Sequence, residues 1–482
     1  MSDKIYFGGI NGITGEYARP PLDYSEIVDI AKAEIIDWDA IADFKRINEE
    51  HLGLPVEVED YPNDLDKVGW GIIFHQDEDV AVRQALQPLI EHRMQQVETP
   101  GSKLKIRVLE VKPEDEDWNG WLVRNKVRDR IEIEPEKVPY YLLLVGSPEK
   151  IPFVFGYQLD MVYAVGRIHF DTVDEYKQYA ASVVEYETAL VVPNAKEVTF
   201  FAPRHHSDPP VERLFDQLMM PLANGIDTQG GIAERFGFRK RTIFKEEATW
   251  LALETTLAPG GTAKPPAFLF TATHGTEFHN GSAEQLEAQG ALVCQDWLGL
   301  NSITKDHYFC GKDVPSDARI HGLIAFLYAC YGGGTPKHDR FFHLKDAPPD
   351  QIALHDFLAA LPKSLLAHPK GGALACVAHI DRAWGFSLNT LMTADISGQI
   401  KSFENTIGRI LKGERLGHAV RNFSERYTAV SAELADIVED IKSGLVDVPN
   451  EKIVKLWIER NDAEGYVIIG DPAVRLRIED LM

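Results

Sequence analysis

The stretch that decides the fold is AFLFTATHG at residues 267–275, taken together with LIAFLYACYGGG at residues 323–334. Each begins with an apolar, β-rich run that has the length of a buried strand, and each ends in a glycine-marked turn. The first run leads into His274 and the second leads into Cys330. In a parallel sheet the carboxyl ends of neighbouring strands lie at one edge, so the imidazole and the thiol are expected to meet there.

Strand and helix patterns alternate along most of the chain. This alternation predicts an α/β fold, with a mainly parallel sheet covered by helices on both faces and a helical C-terminal region. We divide the sequence into an irregular N-terminal segment (1–65), an N-terminal α/β subdomain (66–190), a second α/β subdomain (191–396) and a helical region whose final strand returns to the core (397–482). Predicted strands are 70–74, 105–109, 141–145, 198–202, 373–378 and 467–469, and predicted helices include 24–32, 79–97, 174–190, 210–222 and 246–257.

Cys330 and His274 are the residue types of a nucleophile and its base. A thiol is mostly protonated near neutral pH, and a neighbouring histidine stabilises the thiolate and later protonates a leaving amine. The alternative for Cys330 is an inert buried cysteine, which is the usual state of free cysteine. Cys376 lies inside an apolar run and is expected in the core, while Cys294 and Cys310 lack a comparable strand-to-glycine setting.

An ordered set of segments resembles the caspase, gingipain and separase group of cysteine peptidases, and the gingipain type most. An apolar strand ending in His-Gly and a later one ending in Ala-Cys-x-Gly carry the first part of the resemblance. VPYYLLLVG at 138–146 resembles the strand that opens the core of that family, and Asp160-x-x-Tyr163 with a following Gly-Arg-Ile resembles two further elements. YVIIGDP at 466–472 resembles the closing strand. The resemblance spans about residues 138 to 480 and implies a caspase-like fold with residues 191–396 as the catalytic subdomain.

The resemblance implies a cysteine endopeptidase. Cys330 would be the nucleophile, His274 the general acid and base, and the backbone N–H groups of Gly275 and Cys330 would stabilise the oxyanion. In gingipains a glutamate before the Asp-x-x-Tyr element orients the imidazole, and Glu149 has a suitable place here. The alternative for Glu149 is a solvated loop charge.

The resemblance also gives a hypothesis about specificity. In arginine-selective gingipains the aspartate of Asp-x-x-Tyr lies at the base of the pocket and a tryptophan forms a wall, which implies Asp160 and Trp384 here. Asp381 is a second acidic candidate, and a carboxylate beside an indole suits a basic side chain. Cleavage after Asp would instead require a basic pocket residue, for which Arg167 or Arg382 is available. The structural alternative is that Asp160 caps a turn and Trp384 is core.

Two other functions remain open on the sequence. One is a catalytically silent or partner-activated scaffold in a bacterial defence or cell-death system, which the resemblance implies as an alternative. The other is an acyl transferase that uses the same cysteine. For a peptidase the expected partners are a restricted protein or peptide substrate and an activating protein.

Composition and charge argue against several classes of protein. The net charge of −24 argues against a nucleic-acid partner, because phosphate binding requires a basic face. No run is long and apolar enough to predict a membrane span, and no basic segment followed by an apolar core appears at the N-terminus. We therefore expect a cytoplasmic protein. The four cysteines show no metal-binding spacing, and neither a metal nor another cofactor is expected.

Overall fold

A computed structural model of the protein describes residues 4–34, 37–49, 61–113, 117–226, 229–299, 302–340, 349–384, 397–445 and 447–481. The strands in these ranges are β1 (Ile10–Asn11), β2 (Trp70–His75), β3 (Arg107–Val111), β4 (Tyr141–Val145), β5 (Ala164–Ile168), β6 (Ala195–Ala202), β7 (Arg239–Phe244), β8 (Pro266–Ala272), β9 (Thr276–Glu277), β10 (Leu292–Val293), β11 (Tyr308–Phe309), β12 (Ile324–Tyr328), β13 (Gly334–Thr335), β14 (Phe357–Leu358), β15 (Ala375–His379) and β16 (Tyr466–Gly470).

The α-helices in the same ranges are α1 (Tyr24–Ala33), α2 (Trp38–Glu49), α3 (Leu65–Val68), α4 (Val80–Ala85), α5 (Gln87–Val97), α6 (Trp118–Arg124), α7 (Phe153–Asp160), α8 (Val173–Thr188), α9 (Pro209–Leu214), α10 (Met220–Asn224), α11 (Ile232–Arg235), α12 (Trp250–Leu257), α13 (Ala283–Ala288), α14 (Ala360–Leu366), α15 (Ser397–Leu411), α16 (Leu416–Lys442) and α17 (Asn450–Glu464).

Two helices predicted as continuous are interrupted. The segment 79–97 forms α4 and α5 with a break at Leu86, because Pro88 has no N–H and its ring crowds the carbonyl one turn earlier. The segment 210–222 contains a π-helical turn at Phe215–Met219, and Pro221 follows it in α10. The predicted helical C-terminal region is confirmed by α15, α16 and α17.

Ten strands form one sheet in the order β3-β2-β4-β5-β16-β15-β12-β8-β6-β7. Neighbouring strands are parallel throughout, except that β15 and β16 are antiparallel. The sheet therefore consists of two parallel halves that run in opposite directions and meet at that pair. This confirms the predicted fold class and the return of the final strand to the core, while the subdomain boundaries stay a prediction.

The burial of the central strands agrees with helices packed on both faces of the sheet. Every residue of β4, β5, β8, β12 and β15 is buried, as expected for strands covered on both sides. Among the described residues, no helix is both long enough and apolar enough to cross a membrane.

A buried ionic cluster fixes the closing strand. Asp471, directly after β16, accepts hydrogen bonds from Trp70 Nε1 at 3.0 Å and from Arg93 Nε at 2.8 Å, and its own N–H donates to the Tyr179 hydroxyl at 2.6 Å. The Arg93 guanidinium also pairs with Glu187 at 2.6 Å. The Gly-Asp-Pro element thus joins the sheet to two helices, α5 and α8.

The N-terminal segment folds back over the sheet edge where β8 and β12 end. Ile5 and Leu22 pair with each other, and β1 lies parallel to β9. Ile5 and Phe7 belong to an apolar cluster that also contains Trp384 and Trp457. The N-terminal segment that was predicted as irregular therefore packs onto the folded core through Ile5, Phe7 and Leu22.

Candidate active site

The register of β8 and β12 brings the two predicted catalytic residues to one edge. Ala272 pairs with Tyr328, and the N–H of Thr273 donates to the Tyr328 carbonyl at 3.1 Å. His274 and Cys330 follow immediately on the two strands. The backbones of Gly275 and Cys330 are packed so closely that a Cβ at position 275 would overlap the Cys330 carbonyl. Glycine is therefore required at position 275.

The imidazole of His274 is paired with a carboxylate that the sequence analysis did not find. His274 Nε2 lies 2.8 Å from Asp208 Oδ2, and both side chains are buried. Burial opposes ionisation of Asp208, but the neighbouring His274 outweighs it and holds the pKa of this carboxyl below its usual value. Nε2 is therefore engaged with Asp208, and Nδ1 is the ring nitrogen that this pair does not use.

The position of Asp208 could have been anticipated from the topology. It lies in the loop between β6 and α9, and β6 is the neighbour of β8 in the sheet. A loop that follows β6 lies at the same edge as His274. The sequence signal for Asp208 was therefore an acidic residue that follows β6, the strand next to β8. This signal could be used only if the order of the strands in the sheet was known.

Cys330 is enclosed. Its side chain is buried, and its thiol lies 3.5 Å from the Ala383 carbonyl, which accepts its hydrogen bond. Burial raises the pKa of the Cys330 thiol to about 12. The chain turns sharply after it, since Tyr331 has φ of 59° and its N–H donates to the Asp381 carbonyl at 2.6 Å. In this conformation the thiol of Cys330 is protonated and covered.

Glu149 lies away from the imidazole of His274. Its side chain is 56% exposed, and its Oε2 lies 3.7 Å from His355 Nδ1. The carboxylate beside His274 is Asp208, which occupies the place that the resemblance implied for Glu149.

The three predicted pocket residues are not all in one place. Asp160 is bound by α16 and by its own turn: the Ser424 hydroxyl donates to Oδ2, and the Val165 N–H donates to Oδ1 at 3.2 Å. Burial raises the pKa of Asp160 to about 6. Trp384 is fully buried, and its ring centroid lies 4.9 Å from that of Phe7.

Asp381 and Trp384 lie directly beside the nucleophile, on the segment whose Ala383 carbonyl accepts the Cys330 thiol hydrogen bond. Oδ1 of Asp381 accepts from the Arg382 N–H at 2.8 Å, and Oδ2 is buried without a hydrogen bond among the residues that the structure describes. Burial raises the pKa of Asp381 to about 7. Cys330, His274, Gly275, Asp381 and Trp384 thus form one region.

The two basic candidates for an acidic pocket are already engaged. The guanidinium of Arg382 is fully buried and forms a two-point contact with Asp339. Arg167 donates to the Gly146 carbonyl at 3.3 Å and to the Pro152 carbonyl at 3.2 Å, and burial lowers the pKa of Arg167 to about 10. Cleavage after Asp would require Arg382 to exchange its carboxylate partner.

Comparison with solved structures gives the fold neighbours. The crystal structure of the Arg-specific cysteine proteinase gingipain R aligns with a TM-score of 0.43 at 14% identity, over 85% of this chain and 78% of gingipain R. A structure described as a protease aligns with a TM-score of 0.48 at 12% identity, over 88% and 81% of the two chains. Saccharomyces cerevisiae separase, in its complex with securin, aligns with a TM-score of 0.32 at 11% identity, over 93% of this chain and 23% of separase.

Gingipain R and separase have the caspase-like cysteine peptidase fold, the group that the sequence motifs resemble. No protein-family model matches the sequence, and no curated protein matches it. Likeness at this level assigns neither activity nor specificity to the chain, so both depend on its own residues.

Proposed function

We propose that the protein is a cysteine endopeptidase that cleaves a restricted protein target. The observation that carries the proposal is the buried His274–Asp208 pair at the end of β8, next to the strand that ends in Cys330. A histidine held by a carboxylate at the edge of a strand that neighbours a cysteine strand has the parts needed to activate a thiol.

The chemistry follows from these parts. When the thiol is accessible, Nδ1 of His274 takes the proton of Cys330, and Asp208 stabilises the imidazolium through its bond to Nε2. The thiolate adds to the carbonyl carbon of the substrate peptide, and the N–H groups of Gly275 and Cys330 stabilise the oxyanion. His274 then protonates the leaving amine, and a water molecule hydrolyses the thioester with the same imidazole as base. Free thiols at all four cysteines agree with action in a reducing cytoplasm.

A basic residue before the scissile bond is the specificity that we propose. Support comes from Asp381, whose Oδ2 has no described hydrogen-bond donor and which lies two residues before the Ala383 carbonyl that contacts Cys330. A substrate cation next to Asp381 would favour its ionised form and recover part of the cost of its burial. Asp160 is the weaker candidate for the pocket floor, because both of its oxygens already accept hydrogen bonds.

The test is a panel of fluorogenic peptides with Arg, Lys, Phe, Leu or Asp before the reporter. We expect hydrolysis after Arg and Lys that is lost in Cys330→Ala and retained in Cys376→Ala, a matched change of a buried cysteine on the neighbouring strand. Hydrolysis after Leu or Phe alone would reject Asp381 as the specificity residue. Hydrolysis that survives Cys330→Ala would reject the nucleophile.

The second candidate function is a catalytically silent or partner-activated scaffold. The enclosed thiol of Cys330 and its raised pKa favour it, because a permanently covered cysteine cannot attack a peptide. An intact His274–Asp208 pair argues for the enzyme, since a scaffold has no need to keep a buried histidine and carboxylate together. Capture of a binding protein by Cys330→Ala and by wild type to the same extent, with no cleavage of it by wild type, would support the scaffold.

A further inference from the structure

The N-terminal residues 5–22, named here the covering segment, lie across the candidate active site. The segment is closed at its base, where Ile5 and Leu22 exchange backbone hydrogen bonds of 2.9 Å. Its chain between these residues passes over the end of β12 and then alongside β9. It contacts the nucleophile, the histidine–carboxylate pair and the pocket beside them.

Gly8 and Gly9 lie directly on the nucleophile. A Cβ at Gly8 would overlap the Cys330 Sγ and would lie 2.5 Å from the Ala383 carbonyl oxygen. A Cβ at Gly9, where φ is 95°, would lie 3.7 Å from the Cys330 Cβ. The thiol is therefore covered by backbone that only glycine can place so close.

Phe7, the residue before Gly8, fills the space beside Trp384 and Arg382. It is fully buried, with its ring centroid 4.9 Å from that of Trp384 and 5.9 Å from the guanidinium carbon of Arg382. The wall that the sequence analysis assigned to a substrate pocket is thus occupied by a residue of the chain itself.

The covering segment also holds the other catalytic groups. The Tyr17 hydroxyl donates to Asp208 Oδ1 at 2.9 Å, and the Tyr17 ring packs edge-on against His274. The Ile10 N–H donates to the Gly275 carbonyl at 3.0 Å, and β1 continues along β9. An extended substrate would bind by adding to the same strand edge, so it cannot bind while β1 is in place.

We propose that the covering segment is a built-in inhibitor that occupies the substrate cleft, and that its displacement is the step that activates the protein. The inference builds on the proposed peptidase function. It identifies what an activating partner must do, namely lift residues 5–22 from the edge formed by β9 and the end of β12. An activator that competes for Phe7 or for the pairing of β1 would achieve this.

The first test measures how fast iodoacetamide alkylates Cys330, with peptide mapping by mass spectrometry. Gly8→Ala forces a methyl group onto the thiol, and we expect alkylation of Cys330 to rise about 10- to 100-fold. Tyr17→Phe removes one bond from the segment and should raise it about tenfold. Ile13→Ala is the matched control, because Ile13 belongs to the same segment and is 57% exposed. Its alkylation rate should equal that of wild type.

The other three cysteines report on the fold in the same samples, because all are buried. If Gly8→Ala exposes all four cysteines, the chain has unfolded and the milder Tyr17→Phe decides. A selective rise at Cys330 in Tyr17→Phe supports the proposal. No selective rise in either variant overturns it.

A disulfide test measures the position of the segment independently of reactivity. The Cβ separation at positions 9 and 330 lies in the range that disulfides require, so Gly9→Cys should form a bond to Cys330 under mild oxidation. Ile13→Cys should form none. Failure of Gly9→Cys to link, with unchanged alkylation in Gly8→Ala, would overturn the covering role.

Hydrolysis of the peptide panel separates this inference from the proposed function. Selective alkylation of Cys330 in Gly8→Ala without hydrolysis would support the covering role of residues 5–22 and reject the proposed peptidase activity. Equal hydrolysis by wild type and Gly8→Ala would keep the peptidase and reject inhibition by the segment.

Discussion

Replacing Asp208 with asparagine tests the pair on which the proposed mechanism depends. The carboxylate accepts a bond from His274 Nε2 at 2.8 Å in a buried setting, and the substitution keeps the size of the side chain while removing its charge. A hydrogen bond to a charged group is worth about 1.5–3 kcal/mol, and this bond strengthens when the imidazole becomes an imidazolium. We therefore expect kcat/KM to fall about 10- to 150-fold.

The assay is hydrolysis of an Arg-containing fluorogenic peptide, in the wild-type chain and in the Gly8→Ala background, where the thiol is expected to be open. Asp216→Asn is the matched control, since Asp216 is 53% exposed and pairs with Arg204. Because the pKa of Asp208 lies below its usual value, the carboxylate stays charged above about pH 5, and the deficit should be present at neutral pH. Retention of more than half of kcat/KM by Asp208→Asn would refute the role of the pair. So would a deficit that appears only at low pH.

Three further changes test other parts of the structure. Asp471→Asn should lower the free energy of unfolding in urea by about 3 kcal/mol, because the buried Arg93 loses one of its carboxylate partners. Burial raises the pKa of Asp381 to about 7, so the native state holds a proton that the unfolded state releases near pH 4. The contribution of Asp381 to stability should therefore fall as pH rises from about 4 to 7 and then level off. In urea titrations at several pH values, the difference in stability between wild type and Asp381→Asn should change over that window and be constant above it; a difference that does not vary with pH would contradict the raised pKa. Gly275→Ala should abolish hydrolysis, because its Cβ would overlap the backbone carbonyl of Cys330. Gly260→Ala is the control: it has open space around it and should change neither activity nor thermal unfolding. An active Gly275→Ala would contradict the close packing of the backbones at Gly275 and Cys330.

The parts of the fold that could be predicted from sequence are those with a local signal. The strands before His274 and Cys330 are apolar over their full length and end at glycines, so their extent and their burial follow from composition alone. The helix at 79–97 was predicted as continuous because the apolar spacing continues past Pro88, and that spacing carries no information about the missing N–H of proline. The antiparallel pairing of β15 with β16 joins segments far apart in the chain, and no local pattern specifies it.

The residues of the candidate site also divide into those with a local sequence signal and those without one. Cys330 follows β12, and His274 and Gly275 follow β8, so the sequence signal that singles out these three residues is local. Asp208 was missed because its relation to His274 depends on the order of β6 and β8 in the sheet, and Glu149 was chosen by its position in the sequence instead. The N-terminal segment was predicted only as irregular, and nothing in the sequence placed Gly8 and Gly9 against a cysteine more than three hundred residues later.

In the proposed peptidase, the high pKa of Cys330 and the intact His274–Asp208 pair are compatible only if the enclosure is temporary. Burial raises this pKa, and Gly8 is one of the groups that cover the thiol, so departure of the covering segment would reduce that burial. The same movement withdraws the Tyr17 hydroxyl from Asp208, which leaves His274 as the principal partner of that carboxylate. Solvation of the thiol and strengthening of the histidine–carboxylate pair both favour the thiolate, so displacement of one segment would open the cleft and activate the nucleophile together.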